Sequence, residues 1–290
     1  MSERPEVVVV GDVMLDVSVE AGALARGGDV HGHVTVRPGG AGANAAVWAA
    51  AGGARSRLIG RVGDDLAGRL LREAVAGRGV VPHLAVDPDA PSGTLLAVLE
   101  AGERSMVADR GANARLSPDD LPPAIEAAAV LVSGYLFFDP GSLPAATAAV
   151  GRARAPHVAV DAASWPLVRD LGPERFLRAA EGATLVLANE AEAHALTGLA
   201  PEEAAATLAR RFGWAGVKLG PRGAVLATGD GLIRMPAPAV EEADPTGAGD
   251  AFDGVLLAAL AAGDPPEEAL GRACRAGASA AASPSNWPEP

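Results

Sequence analysis

The stretch Asp244-Pro245-Thr246-Gly247-Ala248-Gly249-Asp250 sets a carboxylate at the end of a coil of small residues. In the run Ala251 to Leu260 that follows, Phe252, Val255, Leu256, Ala259 and Leu260 fall on one helical face. Asp250 is therefore expected at or next to a helix start. A coil without bulky side chains lets backbone N–H groups approach a ligand closely. Free N–H groups at a helix start, with the positive end of the helix dipole, form an anion site. A carboxylate beside such a site can take the proton of a hydroxyl while the N–H groups hold a phosphate. An aspartate near a helix start is also an ordinary cap, and the loop alone leaves both roles open.

Other small-residue loops and acids recur where apolar runs end. Val7 to Val10 reads as a buried strand ending in Gly11-Asp12. Pro38-Gly39-Gly40-Ala41-Gly42-Ala43-Asn44 opens an alanine-rich helix. Short β-rich stretches between Asp16 and Val36, and a hairpin from Ser92 to Val107 turning at Ala101-Gly102-Glu103, read as surface strands. From Val130 onward strands alternate with helices. The pattern predicts an α/β fold: a Rossmann-like three-layer sandwich with a mostly parallel sheet covered on both faces. Ligands bind such sheets at the carboxyl ends of the strands. Asp12, Gly39, Asp64, Asp161, Asn189, Gly220 and Asp250 are all expected there.

The chain has 290 residues, 49% of them apolar and 21% charged, enough for one large α/β domain or two small ones with ample core. Aromatics make up 3%, and 36 acidic against 24 basic residues give a formal charge of −12. Both features speak against nucleic-acid or anionic-membrane binding. A single cysteine, Cys274, excludes an intrachain disulfide framework. The apolar run near the start is too short for a signal core or membrane span, so a cytoplasmic location is expected. The one lysine, Lys218, precedes Leu219, so there is no P-loop Gly-Lys-Ser/Thr. Any phosphoryl transfer uses another scheme. A dinucleotide-dependent oxidoreductase fails because no Gly-x-Gly-x-x-Gly follows a strand with an acid at the right distance.

Four motifs, in order and at suitable distances, give the chain a specific likeness. They are Gly39-Gly40-Ala41-Gly42-Ala43-Asn44 with Gly60-Arg61-Val62-Gly63-Asp64-Asp65; Asn189-Glu190-Ala191-Glu192; Gly220-Pro221-Arg222-Gly223; and Asp244 to Asp250 with Ala251-Phe252. Along nearly its whole length the chain resembles the ribokinase/PfkB carbohydrate kinases. The resemblance implies a single ribokinase-like domain over 1–290 with a β-lid from about 12–36 and 92–110. It implies ATP-dependent phosphorylation of a hydroxyl on a small sugar or sugar acid of the ribose, fructose or 2-keto-3-deoxygluconate type, with Mg²⁺ and, in many members, a monovalent cation such as K⁺ near Asp244. The alternatives are a nucleoside kinase of the same family, against which the sparse lid aromatics speak, and a non-catalytic sugar or nucleotide sensor, which would not need Asp250.

By the same resemblance Asp250 is the base, and Gly247, Ala248 and Gly249 form the anion hole. Asp16, Gly39, Gly40, Asn44 and Arg110 contact the acceptor. Asn189, Glu192, Lys218, Gly220, Gly223 and Asp244 serve the nucleotide side, Glu192 organising Mg²⁺ through water. Each has a plainer reading too: Asn44 as a helix N-cap, Asp16 as a turn residue, Glu192 as an exposed helix residue, Gly220 and Gly223 as a turn. Arg110 signals a sugar acid or pairs with a lid carboxylate. His31 and His33 lack a third ligand and are assigned no metal. Trp165, Trp214 and Trp287 read as packing residues, with residues 283–290, Trp287 included, loosely held. The lid strands are expected to expose an apolar edge that pairs two copies into a homodimer.

Overall fold

The computed structural model describes residues 4–25, 27–100 and 103–289. The chain opens with β1 (Glu6–Val10), β2 (Met14–Ala21), β3 (His33–Gly39), α1 (Ala41–Ala51), β4 (Arg55–Gly63), α2 (Leu66–Gly77) and β5 (Val81–Asp87). It continues through β6 (Gly93–Glu100), β7 (Glu103–Asp109), β8 (Ile125–Glu126), β9 (Ala129–Val132), α3 (Leu143–Arg152), β10 (Ala153–Arg154) and β11 (His157–Asp161). Next come α4 (Trp165–Leu171), α5 (Pro173–Ala179), β12 (Leu185–Asn189), α6 (Glu190–Thr197), α7 (Pro201–Phe212) and β13 (Trp214–Lys218). The last elements are β14 (Ala224–Thr228), β15 (Gly231–Met235), α8 (Ala248–Ala261) and α9 (Pro266–Ala281).

Among the described residues the main sheet has nine strands in the order β15-β14-β13-β12-β11-β9-β1-β4-β5. Pairing is parallel from β5 to β13 and antiparallel for β14 and β15. The valine run of β1 shows why the sandwich forms. Val8 and Val10 pack into one buried cluster with α3, α5 and α7, while Val7 and Val9 pack into another with α1, α8 and α9. A strand buried on both faces needs no polar alternation.

A second sheet of four strands, in the order β3-β2-β6-β7, stands beside the carboxyl end of β1. Its strands extend the first expected β-rich stretch by three residues, to Gly39, and two of the turn residues expected for the hairpin, Ala101 and Gly102, lie outside the described residues. Strand alternation divides its residues cleanly. Asp16, Arg37, Leu95 and Ala97 share one face and line a small cavity against Asp244 and Thr246. Val17, Val36, Leu96 and Val107 are paired in register on the other face, with Val36 and Val107 more than half exposed.

The helix carrying Asp250 is not the amphipathic element the spacing predicts. Every residue from Ala251 to Leu260 is buried, because α8 packs against α1, α9 and the sheet strands β1, β9 and β11. No helix among the described residues is long and apolar enough to cross a membrane.

Candidate active site

The expected strand-end residues converge, with one exception. Asp64 is exposed and its closest charge contact is Arg69 at 3.8 Å. Its neighbour Asp65 instead caps α2, accepting from Gly68 N at 2.7 Å, and holds Ser92 N at 2.7 Å. Arg61 ties Asp87 to Asp120 at 2.9 and 2.8 Å. The Gly60–Asp65 motif thus buttresses the start of β6 and makes no direct part of the site.

Asp250 sits in the first turn of α8, which Gly247 caps in the left-handed conformation, φ 78°. That φ strains any residue with a Cβ, which accounts for the glycine. The Ala248 N–H is spent on Pro245 O at 3.2 Å. The N–H groups of Gly247, Gly249 and Asp250 make no backbone bond among the described residues, leaving donors at the positive end of a buried helix.

The Asp250 carboxyl is pushed up to about 8, chiefly by burial, then pulled back by the Asn44 hydrogen bond and raised again by Asp161 and Asp253, with Lys218 opposing. Asn44 Nδ2 donates to Asp250 Oδ2 at 2.8 Å, and Asn44 Oδ1 accepts from Trp287 Nε1 at 2.9 Å. Asn44 is not the N-cap of α1; Gly40 is, with φ 91°.

Asp16 on β2 lies flat against Gly39 on β3: a Cβ there would stand 2.1 Å from Asp16 Oδ2. Asn286 Nδ2 donates to the same oxygen at 3.0 Å. Arg110 realises the ion-pair alternative. Its Nε and Nη2 bind Asp12 Oδ2 and Oδ1 at 2.8 Å each, with Ser142 at 3.3 Å and Asp139 at 3.6 Å. A guanidinium held in a bidentate fork by a buried aspartate is committed to the protein.

Across the strand ends, Asn189 and Glu192 close a capping box at the start of α6. Asn189 N and Nδ2 donate to Glu192 at 2.7 Å, and Glu192 N donates to Asn189 Oδ1 at 2.9 Å. Glu192 is buried, not exposed, and burial raises its pKa while Lys218 lowers it. Lys218 Nζ contacts both oxygens of Asp253 at 3.0 and 2.8 Å. Burial acts to lower its pKa, but Asp253, Asp161 and Glu192 carry it above the ordinary value. Burial pushes Asp253 up to about 7 and Lys218 pulls it back. An ammonium kept protonated by several carboxylates, in two-point contact with one of them, favours the charged pair.

A cleft of about 1000 Å³ opens beside this cluster, lined by Trp165, Asn189, His194, Gly198, Lys218 and Gly220 among others. It fits a nucleotide in size and place. Gly220 borders it with open space where a Cβ would be, whereas a Cβ on Gly223 would stand 1.9 Å from Met235 O. Gly223 is thus required by the packing of the following chain. Among the described residues no group of three or more His, Cys, Asp or Glu could hold a metal directly. Asn189, exposed on the cleft wall, and the buried Glu192 hydrogen-bonded to it suit Mg²⁺ organised through its own waters.

A family model described as pfkB family carbohydrate kinase matches residues 4–286. The chain belongs to this family. The pfkB chain is 35% identical over 235 residues to aminoimidazole riboside kinase of Salmonella typhimurium, covering 77% of this chain and 73% of that protein. It is 35% identical over 302 residues to bifunctional protein HldE of Streptomyces coelicolor, covering 94% of this chain and 60% of that protein, less than two thirds of its length. The crystal structure of aminoimidazole riboside kinase from Salmonella enterica, complexed with aminoimidazole riboside and an ATP analog, matches with a TM-score of 0.81 at 29% identity, over 96% of this chain and 94% of that one. The pfkB chain is accordingly a sugar or nucleoside kinase with a ribokinase-like α/β fold.

Two residues at the site, Tyr135 and Asn286, escaped the sequence reading, which gives Trp287 only a packing role. Tyr135, the one tyrosine, follows β9 and feels the charges of Asp250, Asp161, Glu192 and Asp12; burial raises its pKa strongly. Asn286 and Trp287 lie in the segment expected to be loose, yet Trp287 is 5% exposed. A tryptophan in a proline-rich polar stretch was the available signal, since an indole there has something to pack against and an N–H to satisfy.

Proposed function

We propose that this kinase transfers the γ-phosphoryl group of ATP to a hydroxyl of a small sugar or sugar acid of the ribose, fructose or 2-keto-3-deoxygluconate type, with Asp250 as the base. One observation carries the reading: Asp250 stands at the N–H-rich start of α8, joined to Asn44 on the acceptor side, with Lys218 and the nucleotide-sized cleft on the other. In-line transfer needs that arrangement and little covalent chemistry. The acceptor hydroxyl hands its proton to Asp250 as the oxygen attacks phosphorus. The N–H groups of Gly247, Gly249 and Asp250 face the charge that develops on the migrating phosphoryl group. Asp16, Gly39, Gly40 and Asn44 orient the polyol. Asn189, Glu192, Lys218 and Gly220 serve the nucleotide side, with Glu192 acting on Mg²⁺ through water; when bound, Mg²⁺ neutralises phosphate charge. Asp244, whose Oδ1 accepts from Thr246 N at 2.9 Å, is the place where K⁺ would act.

The bidentate Asp12–Arg110 pair favours a neutral sugar over a sugar acid recognised through Arg110. The nucleoside reading keeps its place because a similar solved structure holds a riboside. The small sheet serves as the lid, its apolar outer face pairs two copies into a homodimer, and the kinase works in the cytoplasm. The test is a coupled ADP-release assay with ribose, fructose, 2-keto-3-deoxygluconate and adenosine, with Mg²⁺ and with or without K⁺. ATP-dependent turnover of a sugar or sugar acid supports the proposal. Turnover of adenosine alone moves the chain to the nucleoside class, and no turnover with any acceptor refutes transfer.

A further inference from the structure

The segment after α9 turns back across the acceptor side of the site and is held there at five points. Arg37 Nη1 donates to Pro284 O and Arg78 Nη1 to Pro288 O. Trp48 Nε1 donates to Asn286 O at 2.9 Å. The remaining contacts run from the segment to site residues: Asn286 Nδ2 to Asp16 Oδ2 at 3.0 Å, and Trp287 Nε1 to Asn44 Oδ1 at 2.9 Å. Asn286 also lines the small cavity next to Asp16 and Asp244.

The second of these contacts has a directional consequence. An indole N–H can only donate, so it accepts no other partner than the oxygen end of the Asn44 amide. That choice turns the Asn44 NH₂ toward Asp250, where it donates at 2.8 Å. A donor facing a carboxylate favours the ionised form, the form a base must have. Trp287 and Asn44 are both buried, so the order Trp287 → Asn44 → Asp250 is protected from exchange with water.

We propose that residues 284–288 are a built-in part of the acceptor site, with Trp287 a positioning residue that fixes the amide of Asn44 against the base, and Asn286 a positioning residue that fixes Asp16. This rests on the reading of Asp250 as the base. Without the indole donor, the Asn44 amide is free to turn its oxygen toward Asp250, which then holds its proton more tightly. The charged and titratable groups that also face Asp250 are Asp161 at the end of β11, Asp253 on α8 itself, Lys218 on β13 and Tyr135 after β9. Among the described residues none of them is hydrogen-bonded to Trp287, whose bonds run to Ser285 and Asn44, so they are common to the native protein and the variant.

Trp287→Phe keeps an aromatic ring and removes the donor. Trp48→Phe removes an anchor of the same segment without touching Asn44, and is the control for loosening alone. With ribose, fructose and 2-keto-3-deoxygluconate as acceptors, Trp287→Phe is expected to lower kcat by about tenfold, because the Asn44 donor no longer faces the base and Asp250 holds its proton more tightly. KM for ATP stays within about twofold, and the acid limb of kcat/KM moves to higher pH. Trp48→Phe is expected to stay within about twofold of the native kcat, well under a tenfold step. Asn286→Ala is expected to raise acceptor KM several-fold at near-native kcat, which reads the segment even where Trp287→Phe does not fold. An unchanged kcat and pH limb in Trp287→Phe, equal losses in Trp48→Phe, or an unchanged acceptor KM in Asn286→Ala would overturn the proposal.

A readout without turnover separates this proposal from the kinase reading. The Tm difference between the native protein and Asp250→Asn, followed against pH, reports the titration of Asp250. In the Trp287→Phe background that curve is expected to move to higher pH. Coincident curves reject the segment's role, whereas absent turnover in the native protein with a shifted curve rejects only the transfer reaction.

Discussion

Lys218 Nζ lies 2.8 Å from Asp253 Oδ2 and 3.4 Å from where a Cβ on Gly249 would stand, so a buried ion pair sits directly under the first turn of α8, which carries Asp250. Replacing Lys218 with Met leaves Asp253 buried without its cation, at a cost of about 3–5 kcal/mol. Lys218→Met with Asp253→Leu removes both charges and is expected to recover most of that loss. Urea unfolding of the single and double variants checks the sign and the coupling.

Asp250→Asn keeps the shape of the side chain and removes its basicity. Turnover is expected to fall by about 10²–10⁴-fold, while acceptor and ATP binding by calorimetry stay close to native. Near-native turnover would remove Asp250 from the role of base.

The elevated Asp250 pKa gives the reaction and the fold opposite pH dependences. Only the ionised carboxylate accepts a proton, so kcat/KM is expected to fall as pH drops below about 8. For stability, the folded state binds this proton more tightly than the unfolded state. The contribution is complete below the unfolded carboxylate range and is lost as pH rises through about 8. Asp250→Asn is therefore expected to melt higher than the native protein above that pH, with the gap closing toward acid. Melting scans from pH 5 to 10 test this. A constant gap would place the titration elsewhere.

The outer face of the small sheet presents Val34, Val36 and Val107, each more than half exposed. It is a face and not the strand edge that the sequence suggested, because β-alternation puts these residues on the side opposite Asp16. An apolar patch of this kind favours association. Val36→Glu with Val107→Glu is expected to give a monomer in sedimentation where the native protein is a dimer, and a native monomer would dismiss the interface.

The parts of the site that could be read from sequence are those made locally. The start of α8 shows because small residues give way at once to an apolar run, and β1 shows because both its faces are buried. Asn189 and Glu192 stand out in the sequence only through the resemblance, although the capping box they form is local, three residues apart. What stayed hidden depends on distant chain: Trp287 meets Asn44 across 243 positions, and Arg110 meets Asp12 across 98. The sequence left Arg110 between two roles because nothing local identifies its partner. Strand β5 was missed because Pro82 and an irregular burial pattern at the sheet edge mask its alternation. Asp64 was drawn into the expected site by its neighbours in the motif, yet in the structure its adjacent Asp65 does the work of capping α2.

A Cβ on Gly254 would stand 2.3 Å from the carbonyl oxygen of Ala45, so the helices that carry Asp250 and Asn44 touch main chain to main chain. The spacing between those two side chains is thereby locked to the interior of the molecule and cannot be retuned one substitution at a time. Asp16 rides on a separate, thinner layer. A relative that takes a longer or bulkier alcohol must therefore be altered in that layer and in the strap beside it, while the pair at the reacting oxygen keeps its gauge.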